Sequence, residues 1–149
     1  MAEGIFSALI AQHGLQHCFS VSSAGTVPYQ RDSPPDNRAT EVLLRHNINI
    51  SALRAQCIDD VDLHACEWIF VMDYENYEEV DRYLATLHRP RLHLMMDFVA
   101  EHSGEEIPDP YYDGFDAFEQ VKEHLFLASE HILAMLMAHY PHLQEAAMQ

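Results

Sequence analysis

Apolar residues along the chain switch between two spacings. In MAEGIFSALIAQHG, Ile5, Phe6, Leu9 and Ile10 share one face of a 3.6-residue helix, and Gly14 follows as a C-terminal cap. CFSVSSAGT reads as a short strand running into a glycine turn, and VPYQRDSPPD as a loop. NRATEVLLRHN returns to helical spacing through Val42, Leu43 and Leu44, with Asp36 as its N-cap. DDVDLHACE predicts a short helix. WIFVMD is a continuous apolar run of the kind found in parallel strands buried on both faces. ENYEEVDRYLATLH is an amphipathic helix, and RLHLMMDFV a strand whose Met and Leu suit a helix equally well. From Phe115 to about His139 one long helix turns Phe118, Val121, Leu125, Ala128, Ile132 and Met135 inward, and Pro141 ends it. Strands alternating with helices predict βαβ units, a parallel sheet and one α/β domain over residues 1–149. Such folds usually open on a strand, yet this chain opens on a helix.

A hydrophobic share of 48% over 149 residues is enough for a proper core. The net charge of −16, against eight Lys plus Arg, repels phosphates and anionic lipid, which argues against nucleic acid and membrane surfaces as partners. No stretch approaches the roughly 20 apolar residues of a membrane helix, and Met1-Ala2-Glu3 does not open a secretory signal. Cys18, Cys57 and Cys66 are odd in number and lack metal-like spacing, which suits a reduced cytoplasmic protein. Among the eleven histidines, His13 with His17 and His139 with His142 have helical spacing. No cysteine or carboxylate pattern converges on either pair, and His17 falls beyond Gly14, so solvated histidines and no metal are expected.

One stretch carries chemistry by itself. In EEIPDPYYDGFDAFEQV, Pro108 and Pro110 flank Asp109, and Tyr111 and Tyr112 follow. Proline fixes φ and pushes the preceding residue away from helix, so Asp109 sits in a stiff loop just before a helix. A solvated turn does not need such a hold; a catalytic acid does.

Four stretches in order, MAEGIF, SAGTVPYQRDSPPDNRA, VMDYEN and IPDPYYDGFDAFEQV, together resemble the low-molecular-weight protein tyrosine phosphatases along essentially the whole chain. The resemblance implies a single doubly wound α/β domain with a four-stranded parallel sheet. It also implies phosphotyrosine hydrolysis through a cysteinyl-phosphate, without cofactor or metal. Family members begin with a buried strand and a phosphate-cradling loop of pattern Cys, five residues, Arg, Ser-Pro, typically followed by Met-Ala-Glu. Here Met-Ala-Glu is residues 1–3. The first strand and the loop are therefore expected to be missing from these residues, an N-terminally truncated form. Six residues after Cys18, Cys57 and Cys66 stand Ala24, Leu63 and Met72, so no cysteine replaces the nucleophile with the same local geometry.

By the same resemblance, Asp109 is the general acid that protonates the leaving tyrosine oxygen, expected to be held and partly desolvated. Tyr111 and Tyr112 line the phosphotyrosine slot, Tyr29 stands on its opposite wall, and Ser23 supports the phosphate loop. The chain departs from the family at Ala52, where a histidine is usual, and at Arg54-Ala55, where the order is reversed. The implied partner is a phosphotyrosine protein, with bacterial tyrosine kinases as candidates by analogy. As written, the chain is expected to be inactive. The alternative is a non-catalytic pseudophosphatase or partner-binding module that completes its sheet with a strand from another chain, a second copy included. An arsenate reductase on the same fold also needs the missing cysteine and explains the tyrosines less well.

Overall fold

In the computed structural model, which describes residues 1–149, helix α1 spans Ala2–Gln12. It closes on a Schellman turn. Gly14, at φ 71°, donates its N–H to Ala11 O, and Leu15 donates to Ile10 O. Leu15 then packs with Ile10 and Leu133 in a small apolar cluster. Helix α2 (Asn37–Leu44) starts at Asp36, whose carboxylate accepts the Arg38 backbone N–H at 2.8 Å. It buries Ala39, Val42 and Leu43 and leaves Leu44 exposed.

Strand β1 (Trp68–Val71), helix α3 (Tyr74–Tyr83) and strand β2 (Arg91–Leu94) form a βαβ unit. The strands are parallel, with Trp68 opposite Arg91 and Val71 opposite Leu94. The two-residue period sorts their side chains. Val71, Leu92 and Leu94 meet Val80 and Leu84 on the α3 side. Trp68, Phe70 and Met72 pack against the main core, which is built on α4 (Phe115–His139) with α1 and α2. Helices thus lie on both faces of the parallel pair, as a doubly wound α/β fold requires. Pro141 ends α4 and also opens a further helix, α5 (Pro141–Ala147), where its fixed φ suits the first helical position. No helix is long and apolar enough to cross a membrane.

Several sequence expectations are corrected. The family resemblance implies four strands with the first missing here, and the sheet of this chain has two. CFSVSSAGT forms no strand: residues 19–24 make no backbone–backbone hydrogen bond, and a single parallel bridge joins Gly25 to Cys57. An extended segment becomes a strand only beside a ladder partner, and none adjoins this one. For the same reason WIFV is less buried than its composition implies. Only Val71 is buried, and β1 has a partner on one side. DDVDLHACE breaks into two 3₁₀ turns, Ile58–Asp60 and Leu63–Ala65. The Asp62 side chain caps the second by accepting the His64 N–H, which is how aspartate competes with a continuous helix. After Leu94 the chain leaves the sheet as a 3₁₀ turn, Met95–Phe98. On α4, Leu136 takes the inward place expected of Met135, and Lys122, Ser129 and Leu133 widen the stripe.

Candidate active site

The loop that precedes α4 is anchored at one end by Ile107, a buried side chain whose N–H donates to Met72 O at 2.8 Å. Pro108 and Pro110 lean together into a cleft of about 280 Å³ shared with Ala117, Gln120, Val121 and His124. Asp109, between them, is not part of that wall. Its Oδ1 accepts the Tyr111 N–H at 3.0 Å, and Asp113 N–H donates to Pro110 O at 3.0 Å. These two short turns shape the loop from within. The rings of Tyr111 and Tyr112 meet edge to face at 5.0 Å.

Asp109 is held, but it is not desolvated. The side chain is exposed, as are Tyr111 at 54% and Tyr112 at 93%. No element of the chain covers the carboxylate, so the partial burial expected of a tuned acid is absent here. Tyr29 lies in a 3₁₀ turn (Pro28–Gln30), 78% exposed, with no hydrogen bond or ring contact to the Asp109 loop. Ser23 reaches α1: its Oγ donates to Glu3 Oε1 at 3.1 Å, and its carbonyl accepts from Gln56 Nε2. Glu3 occupies the first turn of α1, whose positive end would face an anion. The structure therefore brings Asp109, Tyr111 and Tyr112 into one loop, sets Ser23 at the start of α1, and leaves Tyr29 apart from that loop.

Cys57 is buried, and burial with the nearby Asp62 pushes the Cys66 thiol up, away from thiolate. Cys66 does border a groove of about 410 Å³ with Arg89 and Arg91. Arg89, however, is already paired with Asp81.

Arg38 is the site residue that the sequence reading missed. Its Nε and Nη2 hold the Asp36 carboxylate at 3.0 and 2.9 Å, in bidentate fashion. Its remaining donors reach across the fold, Nη1–H to Asp113 O at 2.8 Å and Nη2–H to Tyr111 O at 2.9 Å. The guanidinium carbon lies 4.4 Å from the Phe118 ring centre and 5.9 Å from that of Tyr111. The hydrogen bonds between the two side chains, with their opposite charges, raise the pKa of Arg38 and lower that of Asp36. The only signal in the sequence was the PPDNR run itself, an arginine two residues after a helix cap.

A doubly wound α/β domain with a proline-clamped aspartate beside two tyrosines defines a class, and the comparisons agree. Residues 1–142 match the family model of low molecular weight phosphotyrosine protein phosphatases, and the chain belongs to this family. It is 29% identical over 136 residues to the low molecular weight protein-tyrosine-phosphatase YfkJ of Bacillus subtilis, covering 91% of this chain and 86% of that protein. It is 32% identical over 136 residues to the putative low molecular weight protein-tyrosine-phosphatase slr0328 of Synechocystis, with the same coverage of 91% and 86%. Among solved structures, a protein tyrosine phosphatase from Entamoeba histolytica superposes with a TM-score of 0.85 at 27% identity, over 92% of this chain and 87% of that one.

Proposed function

We propose that this chain carries the acid and aromatic side of a phosphotyrosine phosphatase site. A cysteine thiolate attacks phosphorus, the bond from phosphorus to the tyrosine oxygen breaks, and Asp109 gives that oxygen its proton. Water then cleaves the cysteinyl-phosphate while Asp109 takes a proton back. A phenolate leaving group has a conjugate-acid pKa near 10, so such a donor contributes about 10²–10⁴ in rate. Tyr111 and Tyr112 line the slot, Tyr29 its opposite wall, and Ser23 supports the phosphate-binding loop. The substrate is a phosphotyrosine protein of the cytoplasm, with a bacterial tyrosine kinase as one candidate. The observation that carries this reading is Asp109 itself, fixed between two prolines and hydrogen-bonded to the backbone of the tyrosine that follows.

No cysteine among these 149 residues stands six before an arginine. The 149-residue polypeptide alone is therefore predicted to hydrolyse no aryl phosphate above background. The first test is the intact mass of the protein from its own cells, followed by an aryl phosphate assay of it and of Asp109→Ala. A mass above 17.1 kDa with turnover that drops about 10²-fold or more in Asp109→Ala supports the enzyme. Turnover by the 149-residue polypeptide would overturn the prediction of inactivity, and equal rates in the two proteins would remove Asp109 from the chemistry.

A second reading has its own support. Residues 19–24 make no backbone–backbone hydrogen bond, and β1 is paired on one side only. A pseudophosphatase could accept a strand from another chain at such an edge, or from a second copy to make a homo-oligomer. This reading predicts a mass of 17.1 kDa, no turnover, and a dimer or larger species in solution.

A further inference from the structure

The loop that carries Asp109 has few ties to the rest of the molecule. Between Ile107 and the start of α4, its hydrogen bonds are its own two turns, apart from those to a single outside residue, Arg38. That residue spends donors on both ends of the Tyr111–Asp113 segment while Asp36 grips the other side of the same guanidinium. Phe118, 3% exposed on α4, forms the platform under it.

We propose that Arg38 is the positioning residue of the acid: it fixes the Asp109 loop against α2 and α4 through the carbonyls of Tyr111 and Asp113. The proposal rests on the reading of Asp109 as general acid and names what aims it. The geometry demands a guanidinium. Four N–H groups must leave one plane toward two carboxylate oxygens and two carbonyls, while the flat face stacks on an aromatic ring. A lysine ammonium offers charge without that fork. Asp36 makes the arrangement rigid, because the carboxylate that orients Arg38 is also fixed by the backbone N–H at the head of α2. Pro110, the one residue between Asp109 and Tyr111, limits the rotational play between the fixed carbonyls and the acid. Reacting groups tolerate little error: a misplacement of about 1 Å can cost about 10²-fold in rate.

The decisive experiment compares wild type, Arg38→Lys and Arg38→Met by amide hydrogen exchange in the 149-residue protein. Losing two hydrogen bonds to a charged donor should speed exchange of the hydrogen-bonded Tyr111 and Asp113 amides about tenfold or more in both variants, leaving α1 and the middle of α4 at wild-type protection. An unchanged loop, or acceleration by the same factor throughout, overturns the proposal.

The protein at its native length adds a chemical readout. Arg38→Lys should slow phenyl phosphate far more than an ester of a strongly acidic phenol, because only the poor leaving group needs the proton. It should copy Asp109→Asn in this. A leaving-group effect in Asp109→Asn that is missing from Arg38→Lys overturns the Arg38 assignment and leaves the acid intact. Absence of the effect in Asp109→Asn removes the acid, while the exchange result still decides whether Arg38 fixes the loop. If the native protein has no turnover, exchange decides alone.

Discussion

Asp36 serves two partners with one carboxylate, capping α2 through the Arg38 N–H and gripping the Arg38 side chain. The Arg38 hydrogen bond is the main reason its pKa falls below the usual 3.8. Between the folded and unfolded values the unfolded chain binds the extra proton. The stabilisation is therefore complete above about pH 4 and drains away as pH drops through the folded value. Asparagine keeps the cap and loses the charge. Asp36→Asn should cost about 1 kcal/mol at pH 7, between an exposed pair and a hydrogen bond to a buried charge. The gap in urea-derived stability should then close as pH falls below 4. A gap that ignores pH would show that the charge contributes nothing. The cap was legible in the sequence because it is local. The tertiary use of Arg38 was not, since its acceptors lie 73 and 75 residues away.

Elements meet through glycines that look alike in the sequence and act differently. Gly4, inside α1, faces Ile50: a Cβ there would stand 2.4 Å from Ile50 Cγ2. Alanine would gain up to about 1 kcal/mol of helix propensity but lose about 1–3 kcal/mol to overpacking against a stiff, buried isoleucine. Gly4→Ala is therefore predicted to lower stability, measurable as a lower urea midpoint at unchanged slope. Gly14 has no neighbour within 4 Å, yet its φ is +71°. Gly14→Ala should cost about 1–2 kcal/mol through backbone conformation alone. If Gly14→Ala were neutral, the Schellman turn would not be what ends α1. The Gly14 cap followed from spacing and chemistry within one helix. The need for Gly4 arises only when α1 meets the segment holding Ile48 and Ile50.

At the scale of the whole molecule, charge is the dominant unrelieved feature. Twenty-four acidic residues face eight Lys plus Arg, and most of the carboxylates have no ion-pair partner. Self-repulsion of this kind weakens the compact state and is screened by salt over a Debye length of about 10 Å at 0.1 M. Raising NaCl from about 10 mM to about 0.3 M should lift Tm by about 2–4 °C, equivalent to about 1 kcal/mol for a chain of this size. A Tm that falls with salt would mean that the surface ion pairs outweigh the repulsion. The same field bears on function. A phosphotyrosine partner must approach an acidic surface, so binding it needs a local concentration of donors that the net charge opposes.

What the sequence determined by itself is what depends on neighbours in the chain. Helix faces follow from apolar spacing, the start of α2 from Asp36, the end of α1 from Gly14, and the stiffness around Asp109 from two prolines. Its ordered motifs also placed the chain in its family, which residues 1–142 bear out. Tertiary structure alone decided the rest. Whether CFSVSSAGT becomes a strand depends on a ladder partner, which no local pattern encodes. Whether Asp109 is desolvated depends on what covers it, and nothing in the chain does. What holds its loop depends on an arginine some seventy residues earlier, brought there because α2 and α4 bury their apolar faces in one core.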